Sequence, residues 1–200
     1  MEINAPIIIE AALMVSDFPL TLAALQNLFP EDKRPSSAEI KAAIATLRET
    51  YVLRGIDLQE VASGYRIQAK AALSPWLSRL YQDKTPRYSR ALLETLAIII
   101  YKQPITRAEI EEIRGVAVSS QIIKTLFERD WIHLIGYREV PGRPALLGTT
   151  KALLDYFNVK SLAELPPLPA LSTQSSLALA LEGGLEGTGA EVEETAVEQS

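Results

Sequence analysis

From Ser89 to Lys102 the apolar residues Leu92, Leu93, Leu96, Ile99 and Ile100 recur at spacings of three and four. That period marks one face of a helix rather than a strand. Pro104 ends the run, and Thr106-Arg107-Ala108-Glu109 is a capping box, in which Thr and Glu satisfy each other's orphan backbone donors. It starts a second helix that Gly115 closes. Ser119 or Ser120 can cap a third helix carrying Ile122, Ile123, Leu126 and Phe127. Residues Trp131 to Tyr137 are β-rich, Val140-Pro141-Gly142-Arg143-Pro144 is a turn, and Leu146-Leu147 leads back to Gly148-Thr149-Thr150. Three helices followed by a two-stranded ribbon predict a winged helix-turn-helix.

The same alternation of patterns occurs earlier in the chain. Pro6 to Phe18 reads as a helix in which Ile7, Ile8, Ile9, Leu13, Met14 and Val15 leave only a narrow polar stripe around Glu10 and Asp17. One small domain can hardly cover so much apolar surface. Thr21 opens a second helix through Leu22, Leu25 and Leu28, and Ser36-Ser37-Ala38-Glu39 is a capping box for a third with Ile40, Ile44 and Leu47. Ile56 to Val61 alternates as a half-buried strand, Ser63-Gly64 turns, and Tyr65 to Gln68 returns. Pro19-Leu20-Thr21 matches Pro104-Ile105-Thr106 at an offset of 85, and Ile44-Ala45-Thr46-Leu47 matches Ile123-Lys124-Thr125-Leu126 at an offset of 79. The difference falls in the proline-containing loop, so a whole fold is repeated.

The predicted fold is therefore mainly α with small β-wings (α+β), as tandem winged helix-turn-helix domains. The first domain spans 1–81, with a linker helix over about 71–81 that places Leu73, Leu77 and Leu80 on one face. A polar tether at 82–87 leads to the second domain at 88–165, where Thr149 or Thr150 caps a last helix from Lys151 to Phe157 and Ser161 starts a short turn. Residues 166–200 read as a disordered acidic tail, with a short amphipathic helix conceivable near Leu177 to Leu181.

Charge changes the picture only once it is divided. The 200 residues carry a net charge of -5, but six acidic residues lie in the tail and no Lys or Arg follows Lys160. The first 164 residues hold 20 basic and 19 acidic groups, a net of +1, which does not make a dominant phosphate-neutralising surface. With no Cys and a single His, thiolate chemistry is excluded and transition-metal sites are hard to build. The first residues lack the basic stretch of a secretory signal, and no apolar run approaches the roughly 20 residues of a membrane helix. A soluble cytoplasmic protein, bound to no membrane, is expected.

No catalytic constellation stands out, so no catalytic, cofactor-binding or metal-ligating residue is assigned, and no cofactor is expected. Glu111-Glu112 reads as a solvated helix face and His133 as a packed or surface histidine. Gly183-Gly184 with Gly187 and Gly189 neither follows a strand nor opens a helix, as a phosphate-binding loop must. A winged helix suggests DNA. Here the third helices point outward with Gln121, Lys124, Thr125 and Glu128, or with Glu39, Lys41, Ala42, Ala45, Arg48 and Glu49, and carboxylates would face phosphates. Lys124 and Arg143 are the weak candidates for a phosphate contact. Arg143 reads equally well as part of a tight turn with a structural ion pair.

What remains is apolar surface. On the helix beginning at Ser89 the core face centres on Leu96, so Ile98 and Tyr101 point the other way, beside Glu94 and Lys102. Either they pack on the first domain or its linker helix, or they await a partner. With the nearly all-round apolar first helix, this favours a protein that binds proteins.

Three stretches resemble the bacterial segregation and condensation protein B (ScpB) family. They are Glu10 to Leu20, then Glu94 to Thr106 with Ile113-Arg114-Gly115-Val116, and Pro141-Gly142-Arg143-Pro144 through Gly148-Thr149-Thr150. The resemblance covers about residues 7–168. It departs at Leu147, where a Tyr is usual, and at Asn158-Val159 in place of Gly-Leu. It implies a non-catalytic, homodimeric, nucleoid-associated protein in chromosome condensation and segregation. Its implied partners are the kleisin subunit ScpA and, through it, an SMC ATPase, with DNA touched at most weakly or indirectly. On that basis Ile7, Ile8 and Met14 become candidates for the dimer interface, and Ile98 and Tyr101 for the kleisin contact. The competing expectation is a winged-helix transcriptional regulator.

Overall fold

The computed structural model describes residues 4–80 and 88–166. Its α-helices, the short one at Ser74–Leu77 apart, begin where a side chain can satisfy a free backbone donor. Asn4 accepts from Ile7 N at 3.2 Å and starts α1, Ala5–Val15, with Pro6 in the first turn, where its missing N–H costs nothing. The helix expected to reach Phe18 stops at Val15. Pro19 drives the preceding residue out of the helical region, and Ser16 Oγ bonds to the Phe18 backbone instead. Thr21 caps α2, Leu22–Gln26, and the Ser36/Glu39 capping box forms as expected at the start of α3, Ser37–Tyr51.

Strands β1, Ile56–Val61, and β2, Gly64–Ala69, make an antiparallel hairpin in which Ile56 faces Ala69 and Val61 faces Gly64. Ile40, Ile44, Leu47 and Tyr51 of α3 bury against Ile9, Leu13, Leu25 and Leu58 as one cluster. Gly64 is demanded twice over. Its φ is +141, and a Cβ there would stand 2.3 Å from the Leu20 carbonyl oxygen, because Leu20 bridges to Tyr65 beside it.

The single helix expected over 71–81 is broken into a 3-10 turn Ala71–Leu73, α4 at Ser74–Leu77, and a 3-10 turn Ser78–Leu80. Pro75 is the reason: it has no N–H to give and its ring would clash with the carbonyl one turn back. Residue 81, the expected 82–87 tether and the expected tail from 167 onward, with its glycines and Leu177–Leu181, lie outside the described residues.

In the C-terminal half, α5 spans Arg90–Lys102 behind the Ser89 cap, and α6 spans Arg107–Arg114 between the Thr106/Glu109 capping box and Gly115 at φ +70. Helix α7, Ser120–Glu128, follows, then β4, Ile132–Tyr137, β5, Ala145–Thr149, and α8, Lys151–Tyr156, capped by Thr150. The ribbon expected here has a third strand. β3, Ile105–Thr106, pairs with Leu147 and Leu146, giving the order β3-β5-β4. Two residues, the first following a proline and the second itself a helix cap, are too few to show a strand period, so only the partner strand reveals them. Leu96, Ile99, Ile110, Leu126, Ile132 and Leu153 are fully buried in a second cluster. Three helices and a hairpin thus recur in the same order. Leu20 before the Thr21 cap touches the second strand of its hairpin just as Ile105 before the Thr106 cap does.

Candidate functional site

Helix α5 is apolar nearly all round, and the structure covers the side expected to be free. Ile98 is 7% exposed and belongs to the second core cluster, so it does not stand on open surface. Tyr101 is half-buried against the same cluster and its hydroxyl donates to the Pro166 carbonyl at 2.5 Å, while burial raises the phenol's pKa. Leu165 packs on the cluster as well. At Tyr101 cover therefore comes from the chain's own segment after α8. The segment is short, ending in the 3-10 turn Leu162–Glu164 and the extended Leu165.

On α1 the residues fare differently. Ile7 and Ile8 are half-buried, whereas Met14 is 61%, Val15 83% and Phe18 68% exposed. An open groove of about 420 Å³ runs beside them between Leu13, Phe18, Pro19, Arg66 and Ile67. Met14, Val15 and Phe18 thus place three large apolar side chains in water close together in the chain, which favours a contact with another polypeptide.

The outward residues of α3 and α7 lie where the helical period puts them. Glu39, Lys41, Ala42, Ala45, Arg48 and Glu49 are exposed, as are Gln121, Lys124 and Glu128, with Thr125 half-buried. Lys124 Nζ lies 3.5 Å from Glu128 one turn on, so its charge is partly answered within the helix. Arg143 sits in the wing turn at φ +36 with its guanidinium 5.9 Å from the centre of the Tyr137 ring. Glu111 is more than a solvated carboxylate. It accepts from Val118 N and Arg107 Nε, both at 3.0 Å, and the Val118 N–H holds its pKa below the ordinary value. His133 is exposed on β4, and no group of His, Cys, Asp or Glu among the described residues could hold a metal. Arg129, singled out by no pattern in the sequence, lies over Tyr88 at 4.7 Å and Trp131 at 5.5 Å.

The model of the segregation and condensation complex subunit ScpB family matches residues 7–168 of the chain. The chain belongs to the ScpB family. It is 62% identical over 167 residues to a segregation and condensation protein B homolog of Coxiella burnetii, covering 84% of this chain and 80% of that protein. With segregation and condensation protein B of Geobacillus thermodenitrificans it shares 44% identity over 177 residues, 86% of this chain and 82% of the relative. A solved structure, ScpB from Mycobacterium tuberculosis, is 31% identical and aligns with 78% of this chain and 98% of its own at a TM-score of 0.35.

Within this ScpB chain, two of the stretches that carry the resemblance are tied to each other. Gln103 Oε1 accepts from Thr149 N at 2.7 Å and Gln103 Nε2 donates to Thr149 Oγ1 at 2.9 Å. Gly148 packs closely here: a Cβ would fall 3.0 Å from that same Gln103 oxygen and 2.1 Å from Ile135 Cδ1, so the Ile135 side chain would have to move. Thr150 then caps α8, and Thr106 caps α6. Motifs over Gln103–Thr106 and Gly148–Thr150 thus pin the sheet to two helix starts. They build the scaffold that presents α5 and α8.

Proposed function

We propose that this ScpB-family protein is a non-catalytic subunit of a bacterial SMC-kleisin complex of condensin type, acting in chromosome condensation and segregation by binding the kleisin ScpA. In this reading residues 1–81 and 88–165 are tandem winged helix-turn-helix domains joined at 82–87, and 166–200 form an acidic tail. The N-terminal domain dimerises through α1, with Met14 at the centre and Ile7 and Ile8 towards its start. The outer side of α5, at Tyr101, receives the kleisin, while Ile98, buried in the core cluster, makes no direct contact with it. An SMC ATPase is reached through the kleisin, and the protein lies on the nucleoid in the cytoplasm. No helix among the described residues is long and apolar enough to cross a membrane.

The observation that carries the reading is where the surplus apolar surface lies. Exposed Met14, Val15 and Phe18 offer a face suited to another polypeptide, while the outward faces of α3 and α7 present Glu39, Glu49 and Glu128 where a duplex would place phosphates. Family membership supports the same assignment. The test is titration of purified ScpA onto the full chain and onto Tyr101→Ala, with circular dichroism to follow folding. Weakened binding by the folded variant is the expected result. Unchanged affinity would remove α5 from the interface, and a monomer in light scattering at micromolar concentration would rule out the dimer.

A further inference from the structure

The last turn of α8 and the segment that follows it make two attachments, one to each half of the molecule. At its start it holds the turn of the β1-β2 hairpin. Asp155 Oδ1 accepts from Ser63 N at 2.9 Å, the Asp155 carbonyl accepts from Arg66 Nη2 at 2.9 Å, and that guanidinium also donates to Asn158 Oδ1. Ala62 N donates to the Val159 carbonyl at 3.1 Å, and Lys160 Nζ lies 3.5 Å from Glu60. At its other end Leu165 packs on the second core cluster and the Pro166 carbonyl receives the Tyr101 hydroxyl. Between the two, Lys160 N donates to Glu164 Oε2 at 2.9 Å, so the clasp and the cover share one tight turn.

We infer that residues 155–166 couple the outer face of α5 to the relative placement of the two halves. A partner segment seating at Tyr101 takes the position of Leu165 and Pro166. Their departure pulls on the Lys160–Glu164 turn, releases the hairpin from Asn158, Val159 and Lys160, and leaves it held by Asp155 of α8 alone. The inference rests on the kleisin reading of α5.

The chemistry of the clasp suits a contact that opens. Its partners are polar groups at or near the surface, and water can replace each of them, so little is lost on separation. Arg66 Nε is buried without a hydrogen-bond partner, a cost that exposure to water relieves. Asn158 sits at φ +58, where Asn is tolerated better than most residues, so the chain reverses at the clasp itself. By contrast, Leu165 and Tyr101 are held by apolar contact, which another apolar segment can reproduce. A partner competes best for the cover, and the clasp follows.

Because binding and opening are linked, weakening the clasp must strengthen binding by the same factor that binding weakens the clasp. The absence of Cys allows Glu49→Cys and Glu112→Cys, both at exposed positions, to carry a donor and acceptor dye in the full chain. Saturating ScpA is expected to change the energy-transfer efficiency, and Leu165→Asp is expected to change it in the same direction without ScpA. Arg66→Ala, or Lys160→Ala should the former fail to fold, is expected to shift it likewise and to raise ScpA affinity by about fivefold or more. If Tyr101→Ala weakens ScpA binding but saturation leaves the transfer unchanged, the α5 site stands and the coupling alone is wrong. If ScpA affinity ignores Tyr101→Ala, the site itself is wrong and the coupling falls with it.

Discussion

Helices α1 and α5 hold the same place in the repeated order, each followed by an extended residue, a threonine cap and a second helix. Yet α1 leaves Met14, Val15 and Phe18 facing water, whereas α5 buries Leu92, Leu93 and every residue from Thr95 to Ile100. Both are apolar on more than one face. The difference lies in what the rest of the chain supplies. α5 packs with α6, α7 and β5, and Leu165 comes back to its cluster after α8; α1 packs with α3 and β2. The two leading helices thus differ: α5 is covered from within the chain, whereas Met14 and Val15 of α1, with Phe18 just after it, stay open.

Breaking the open face should have the largest effect, and on association rather than on folding. Burial of side chains such as Met14 and Phe18 contributes about 1.5–3 kcal/mol each. Met14→Glu with Phe18→Glu should thus weaken the proposed dimer by about 100-fold to 10,000-fold in sedimentation equilibrium. A dimer that survives both charges would locate the interface away from α1. The closed helix should behave the opposite way. Leu96→Ala, at a fully buried position, should cost about 2–5 kcal/mol in urea unfolding. Met14→Ala should shift the monomer's stability by no more than about 0.5 kcal/mol.

A smaller contrast separates the two hairpins. Gly64→Ala forces a Cβ onto the Leu20 carbonyl at a φ that L side chains rarely adopt, and should cost about 1–3 kcal/mol. Gly136→Ala meets nothing within 4 Å and should melt near the parent temperature. Equal melting of the two variants would mean that the Leu20–Tyr65 bridge gives way easily. The helix caps come next: Thr21→Ala and Thr106→Ala should each lose about 1 kcal/mol, read from denaturant midpoints.

The gentlest probe is pH. The backbone N–H groups of Ser36 and Thr106 hold Glu39 and Glu109 below the ordinary carboxyl value of 4.5. A carboxylate whose folded pKa is depressed contributes stability that is complete above the unfolded value and is lost as pH falls through the folded one. Stability should therefore decline below about pH 4.5, and Glu39→Gln with Glu109→Gln should flatten that decline in an acid titration followed by circular dichroism. A slope unchanged by both substitutions would assign the acid sensitivity to other groups.

Much of the fold was legible because its signals are local. A capping box spans four residues, a helix face repeats every three or four, and Gly115 and Gly142 mark their turns where positive φ is needed. The repeat was visible through Pro19-Leu20-Thr21 and Pro104-Ile105-Thr106 because both copies solve the same problem, a chain leaving one helix, touching a strand and capping the next. Helical periodicity also placed Ile98 and Tyr101 opposite the Leu96 face of α5. It could not say what covers them, since Tyr101 and its acceptor Pro166 are 65 residues apart.

The order of elements, the places where helices start and the apolar excess of α1 and α5 were settled by the sequence alone, since each depends on residues within a turn or two of one another. The third strand β3, the tie from Gln103 to Thr149, the cover over Tyr101 and the clasp of Ser63 and Arg66 by Asp155 and Asn158 were decided only in three dimensions. Those contacts join groups 40 to 92 residues apart, and polar groups so distant leave no period in the chain. They form because a buried donor or acceptor must find a partner wherever folding has brought one within reach.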